Sequence, residues 1–376
     1  LGVAAELSKA RLSALVVMTT GAGALFAGPA ALGAGGTVAA ACVGTAMCAA
    51  SANTFNQCYE IKTDALMART AKRPLPSGRA PMGQALGFGV GMGGAGVATL
   101  LAGCNPVTAV MGAANIALYA GVYTPMKQTS EWNTWVGSVV GAIPPIMGYA
   151  AVTGDVLSAE SALLASVLFL WQFPHFFSLA WINREGYVAG GHKMVPCADP
   201  TGMRTAAIVR KYTLALLPLP AVAVASGLTS SMFGVEALLV NSFWLYQAQQ
   251  FYKKPSNGNA RRVFRTSLWY LPVVLGLMVF HSKHWIDSEE LDVLNEDPDP
   301  LRRIYRYAAA VLRPIGKENC PHEVLGGQPG YHHTIFGSDV GEVDGANNNK
   351  AGPASAGGVA GEEGVVMNAK ALSKAD

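Results

Sequence analysis

Asn56, Glu60 and Asp64 stand four residues apart in NQCYEIKTDALMARTAKRP, residues 56–74. On an α-helix each such step turns about 400° and rises about 6 Å, so the three side chains form one stripe. Two carboxylates and an amide oxygen in a stripe suit a hard, oxygen-seeking cation such as Mg²⁺. That ion keeps several waters and shares its site with substrate phosphates. The segment continues as ARTAKRP, where Arg69, Lys72 and Arg73 can meet a phosphate group, Arg with a bidentate fork. Pro74 is expected to end the helix. Acids for a metal followed by cations for phosphate predict a diphosphate site. A solvated, positive-inside helix end explains the Lys and Arg residues but accounts poorly for Glu60 and Asp64. Lys62 points off the stripe and is read as solvated.

A second polar series begins inside an apolar run, WQFPHFFSLAWINREGYVAGGHKMVP. Trp171, Gln172, His175, Asn183, Arg184 and Glu185 are its candidates. Ionisable groups inside a membrane span cost about 2.5–3.5 kcal/mol each on insertion scales, which marks them as functional candidates. Two half-sites facing one cavity would hold a diphosphate between two metals, with Glu185 as the second acid and Arg184 on the phosphate. Pro174 is expected to disturb the helix around His175. For His175 itself, a ligand role and a packed, hydrogen-bonded histidine are both open. His281 and His284, in VFHSKHWID, share a face and can touch a cofactor or simply lie at the interface beside Trp285. Tyr123 and Lys127 end the fourth apolar run, where Lys127 can contact a phosphate. Pro144 and Pro145 are expected to interrupt the fifth run, along which Gly137, Gly141 and Gly148 permit close packing.

These residues need apolar rods to position them, and the composition supplies them. The chain of 376 residues is 51% hydrophobic and only 14% charged, against about 25% charged in a soluble domain. Nine apolar runs approach the roughly 20 residues that cross hydrocarbon: 12–31, 37–56, 84–103, 106–125, 134–153, 161–182, 207–230, 235–252 and 267–286. An all-α membrane protein of about nine transmembrane helices follows, rich in the small residues that let such helices approach closely. Lys and Arg precede the first span and fill the even-numbered connections, while the odd-numbered ones carry none. This is the positive-inside pattern, and it puts the acidic stripe and the second series at the same face. Nothing in the charge distribution asks for nucleic acid as a partner; the lipid bilayer is the expected surroundings. Six cysteines without a C-x-x-C pair suggest neither zinc nor a disulfide framework. The membrane domain is expected over 1–287 and a soluble tail over 288–376. In the tail a short amphipathic helix is expected near 300–313 and a Gly/Ala/Asn-rich, largely disordered stretch beyond 340. No targeting segment is visible ahead of the first span, so the natural N-terminus is read as missing or removed.

The segments NQCYEIKTDALMARTAKRP, YTPMK, WNTWVGSVVGAIPPIMGYAA and WQFPHFFSLAW…REGYVAGGHKM together resemble the heme-farnesylating branch of the UbiA-type intramembrane prenyltransferases. The likeness covers roughly residues 8–285, and WQFPHF and GAIPPIMGY select the branch. It implies nine helices bundled around a central cavity, in a mitochondrial inner membrane or a bacterial plasma membrane. It implies that farnesyl diphosphate gives its farnesyl group to a vinyl group of heme B, yielding heme O for a downstream heme A synthase. On the matching positions Asn56, Glu60 and Asp64 would hold Mg²⁺ and diphosphate. Arg69, Lys72, Arg73 and Lys127 would neutralise the leaving group, and His175, Tyr123 and Trp171 would contact heme or farnesyl. The chain departs from the branch at Gly186, where an acid is usual, so the second metal half-site rests on Glu185. A related prenyltransferase with a quinone-precursor acceptor and a transporter or channel are the alternative readings.

Overall fold

The computed structural model describes residues 2–285, together with Asp299 and Arg302. Apart from those two residues, the expected tail, with its boundary at 287/288, lies outside the described residues. Nine long helical rods and no strand occupy the described chain. They are α1 (Ala10–Leu25), α2 (Gly35–Tyr59), α3 (Met82–Gly103), α4 (Pro106–Thr129), α5 (Asn133–Thr153), α6 (Ala159–Ile182), α7 (Met203–Ala225), α8 (Ser231–Lys253) and α9 (Asn257–Phe280). Seven are long and apolar enough to cross a membrane, while α1 is shorter and α8 falls outside that set. A 24-residue helix is about 36 Å long, enough for a hydrocarbon core of about 30 Å. The chain is a multi-pass membrane protein.

Successive rods pack side by side, α2 on α3, α5 on α6, α6 on α7 and α8 on α9, and α9 returns against α1 to close the circle. Small residues set the closest approach. A Cβ on Gly148 of α5 would lie 1.8 Å from the Thr20 carbonyl oxygen of α1, and one on Gly23 would lie 2.0 Å from that of Pro145. The backbones of α1 and α5 therefore touch directly, which is how helices gain contact where hydrophobic drive is absent. The second half of the bundle packs through aromatic side chains instead: Phe173, Phe177 and Trp181 of α6 against Trp244, Phe251 and Tyr270.

Two expectations change here. Pro144 and Pro145 do not interrupt α5, which runs unbroken from Asn133 to Thr153, and Pro174 likewise lies inside a continuous α6. Each rod is held by packed neighbours on both sides, which keeps the segment helical despite the lost N–H groups. Nor does the helix of the acidic stripe run on to Pro74. α2 ends at Tyr59, a short helix Ile61–Leu66 follows, and Met67 turns to extended backbone. Thr70 closes that helix end by donating its hydroxyl to the Asp64 carbonyl at 2.8 Å, so the chain bends back instead of continuing.

Candidate active site

The stripe forms as its spacing requires, with one joint. Glu60 sits between α2 and the short helix with φ −91° and ψ 12°, and the Asp64 N–H still donates to the Glu60 carbonyl at 2.7 Å. Asn56, Glu60 and Asp64 are all buried, at 0%, 4% and 0% exposure. Each meets one cation. Lys9 Nζ donates to Asn56 Oδ1 at 2.7 Å, Lys127 Nζ lies 3.0 Å from Glu60 Oε1, and Arg73 Nη1 donates to Asp64 Oδ2 at 2.6 Å. Asp64 Oδ1 is buried and has no partner among the described residues. Burial alone would raise the Glu60 carboxyl, but Lys127 overrides it and holds the group below its ordinary value.

Each cation arrives from a different element. The turn after the short helix folds Arg73 back onto Asp64. Arg69, on the same loop, is exposed and reaches Tyr187, its Nη2 donating to the hydroxyl at 3.3 Å. Lys72 is exposed as well and offers only its carbonyl, to Arg79 at 2.6 Å. Lys72, expected to meet a phosphate, is not drawn onto the stripe as Arg73 is: because the helix stops at Leu66, the loop turns this side chain outward.

Lys127 is set by an irregularity in α4. The rod widens to a π-turn over Leu118–Tyr123 before resuming at Thr124. Pro125 has no N–H to donate four residues back, and the Thr124 N–H reaches five back, to Tyr119. Such π-bulges are common at functional sites. The bulge brings Tyr119 and Tyr123 to 5.3 Å between ring centroids, with Lys127 Nζ 4.8 Å from the Tyr123 centroid. It also lets Asn56 Nδ2 donate to the Thr124 hydroxyl at 3.1 Å. Gly137 of α5 makes room, since a Cβ there would come within 2.7 Å of the Tyr123 ring.

Lys9 and His192 are the residues that sequence reasoning missed. Lys9 counted only as a positive-inside charge. It is the one non-glycine described residue with positive φ, 48°, and that backbone turn aims it inward. Asn53, Asn56 and Gln57 of α2 bind the segment ahead of α1: Gln57 Nε2 donates to the carbonyls of Glu6 and Leu7, and Asn53 Nδ2 to that of Ser8. Burial, with Lys127 and Arg73 nearby, pushes the Lys9 ammonium down to about 7. His192 is buried beside the same pocket, and burial lowers its imidazole below the ordinary histidine value.

The second series does not join the stripe. On the short helix Arg184–Ala189 it is Tyr187 that turns toward the Arg69 loop, while Glu185 and Gly186 are exposed. Arg184 donates to the Trp181 carbonyl at 3.1 Å and stacks 4.3 Å from the Trp181 ring. Arg184 and Glu185 line a surface recess of about 330 Å³ with Asp199 and Cys197. At 100° per residue Glu185 lies about 160° around the helix from Tyr187, while Arg184, on the same side as Tyr187, is drawn back onto Trp181, so among the described residues neither joins the stripe. Asn183 bonds back to the Leu179 carbonyl at 2.9 Å. His175 is packed and hydrogen-bonded: its Nδ1 lies 2.7 Å from the Ser267 hydroxyl of α9 and its ring stacks on Trp171 at 4.6 Å. Trp171 donates to the Ser267 carbonyl at 3.0 Å. His281 and His284 sit at the opposite ends of the rods, paired with Glu236 at 2.9 Å and Glu160 at 3.2 Å.

Comparison with known proteins identifies the family. The UbiA prenyltransferase family profile matches residues 16–271. The chain is 44% identical over 277 residues to a mitochondrial protoheme IX farnesyltransferase of Arabidopsis thaliana, covering 73% of this chain and 64% of that one. It is 43% identical over 279 residues to the human mitochondrial protoheme IX farnesyltransferase, covering 74% and 62%. To the protoheme IX farnesyltransferase of Solibacter usitatus it is 40% identical over 286 residues, covering 73% and 96%. The chain thus spans under two thirds of the plant and human relatives and nearly all of the bacterial one. Among solved structures, a digeranylgeranylglyceryl phosphate synthase superposes with TM-score 0.61 at 14% identity, over 74% of this chain and 97% of that one. A UbiA homologue from Archaeoglobus fulgidus, bound to DMAPP and Mg²⁺, gives 0.53 at 12% identity, over 73% and 99%. The chain belongs to the UbiA prenyltransferase family, and the relatives it resembles in sequence are protoheme IX farnesyltransferases.

Proposed function

We propose that this protein moves the farnesyl group of farnesyl diphosphate onto a vinyl group of heme B, with water supplying a hydroxyl, to give heme O. The observation that carries the reading is the pocket in which three buried oxygen donors each hold one cation, on a chain 40–44% identical to protoheme IX farnesyltransferases. The mitochondrial relatives support an inner mitochondrial membrane, and a heme A synthase would consume the product.

The donor set fits Mg²⁺. Two carboxylates and an amide oxygen are its preferred ligand types, and the unpartnered Asp64 Oδ1 is a buried acceptor that the fold leaves unused. Among the described residues no three His, Cys, Asp or Glu side chains group into a metal cage, so water and substrate phosphate would complete the coordination. Asn56, Glu60 and Asp64 would hold it, and when bound it adds positive charge beside the leaving phosphate oxygens.

The chain's own cations do the rest. An arriving diphosphate offers Lys9, Arg73 and Lys127 new acceptors, with Arg69 at the mouth. The allylic C–O bond breaks with its electron pair going to the diphosphate, where these fixed charges lower the barrier in a water-poor site. The farnesyl carbon then bonds to the outer vinyl carbon of the porphyrin. The resulting cation takes the oxygen of water and releases a proton. The Tyr119 and Tyr123 faces beside Lys127 can hold the transient allylic cation. His175 and Trp171, tied to Ser267 of α9, would contact heme or farnesyl rather than the diphosphate.

The test is direct: purified protein in detergent with heme B, farnesyl diphosphate and Mg²⁺, and chromatography with mass detection of heme O. Heme O that disappears with EDTA and in Asp64→Ala supports the proposal. Farnesyl transfer only to a quinone precursor would move the protein to a sister activity.

A further inference from the structure

We propose that His192 is a substrate-contacting residue that donates a ring N–H to a phosphate oxygen of the prenyl diphosphate. The inference rests on the diphosphate reading above and adds a group that neither the acidic stripe nor its basic loop contains.

His192 is 6% exposed, yet neither Nδ1 nor Nε2 has a hydrogen-bond partner among the described residues. A neutral imidazole carries one N–H donor and one lone pair, and buried polar groups are rarely left without partners. The ring is held in place by everything except its nitrogens. Its backbone N–H donates to the Tyr187 carbonyl at 2.9 Å, and its ring meets the Tyr187 ring edge-on at 5.5 Å between centroids. Gly191, at φ 71°, makes the turn that presents it. The following residue is anchored to α4, with the Lys193 N–H donating to the Lys127 carbonyl at 2.7 Å, and Asn133 donating to the Lys193 carbonyl at 2.8 Å. On the other side the turn abuts Met67, immediately beyond the Asp64 helix, for a Cβ on Gly190 would lie 3.0 Å from Met67 Sδ.

The loop is thus clamped between the element that carries Lys127 and the one that carries Asp64. The charged groups acting on the ring are Glu60, Lys127, Asp64 and Arg69, the residues assigned to metal and diphosphate. A rigidly held, buried imidazole with both nitrogens unspent, on a loop clamped between the elements that bear Lys127 and Asp64, is built to be completed by a ligand. An anionic phosphate oxygen satisfies the N–H. The other nitrogen remains for a proton-bearing group such as a water of the hydrated diphosphate.

The experiment titrates Mg²⁺ and inorganic pyrophosphate into the purified full chain in detergent, by calorimetry. Nitrogen NMR of histidine-labelled protein follows the His192 ring, identified by its loss in His192→Phe. A hydrogen bond to a charged acceptor corresponds to about 10- to 100-fold in affinity. His192→Phe is expected to weaken pyrophosphate binding by that factor, and His192→Gln, which keeps an N–H donor, by much less. In the wild type the His192 ring signal is expected to move on pyrophosphate addition. Undiminished binding by His192→Phe, or an unmoved ring signal while pyrophosphate binds, overturns the inference. Should wild-type protein not bind pyrophosphate at all, the diphosphate reading itself fails and this inference falls with it.

Discussion

Arg73→Ala removes the cation beside Asp64. The guanidinium donates to Asp64 Oδ2 at 2.6 Å, with the Asp64 side chain 1% exposed and that of Arg73 24% exposed. Breaking a fully buried ion pair costs about 3–5 kcal/mol, since one charge stays buried without its partner. The partial exposure of Arg73 lets water screen the remaining charge, so about 2–3 kcal/mol is the reasonable expectation here. For a domain of this size each kcal/mol shifts Tm by about 2–4 °C, which gives a loss of about 4–12 °C in a thermal melt without metal. The melt is then repeated with Mg²⁺. If Asp64 is a metal ligand, the ion replaces the missing guanidinium as counter-charge, and the variant recovers more stability from Mg²⁺ than the wild type gains. An equal Mg²⁺ effect on both proteins would refute the placement of the metal at Asp64, even if the melting loss matched.

Three further outcomes are expected. Gly148→Ala puts a methyl group 1.8 Å from the Thr20 carbonyl; forcing α1 and α5 apart costs about 1–3 kcal/mol, read as a lower Tm, whereas an unchanged melt would deny the close approach. Lys9→Met leaves the Asn56 Oδ1 acceptor buried without its ammonium, a loss of about 1–3 kcal/mol together with weaker pyrophosphate binding, checked by melting and calorimetry. His281 is buried between Ser230 and Glu236, and burial holds its folded value below the ordinary 6.5. The unfolded chain then takes up a proton first as pH falls through 6.5, so stability is full above that value and declines below it. Tm should drop on acidification, and His281→Gln should flatten the drop.

Much of this was legible in the residues. The nine rods follow from apolar length, because an apolar run of that length crosses hydrocarbon as a helix that satisfies its own backbone. The stripe Asn56–Glu60–Asp64 follows from helical spacing alone. What failed to carry over were positions beyond a helix end. Lys72 and Arg73 are neighbours in sequence, yet one faces solvent and the other binds Asp64, since Thr70 stops the helix and turns the loop. Arg184 and Glu185 read as a half-site, but a six-residue helix turned them to a surface recess and brought Tyr187 to Arg69 instead.

Periodicity and composition by themselves determined the class of this protein, its rods and the helical stripe of Asn56, Glu60 and Asp64. These depend on local geometry and on solvent. Which cation meets which acid was decided only by the tertiary structure. Lys9 reaches Asn56 across 47 positions, Lys127 reaches Glu60 from a π-bulge in another rod, and His192 arrives on a loop clamped between α4 and the turn after Asp64. Buried charges must find partners wherever packing brings them, and no spacing along the chain encodes a meeting between elements this far apart.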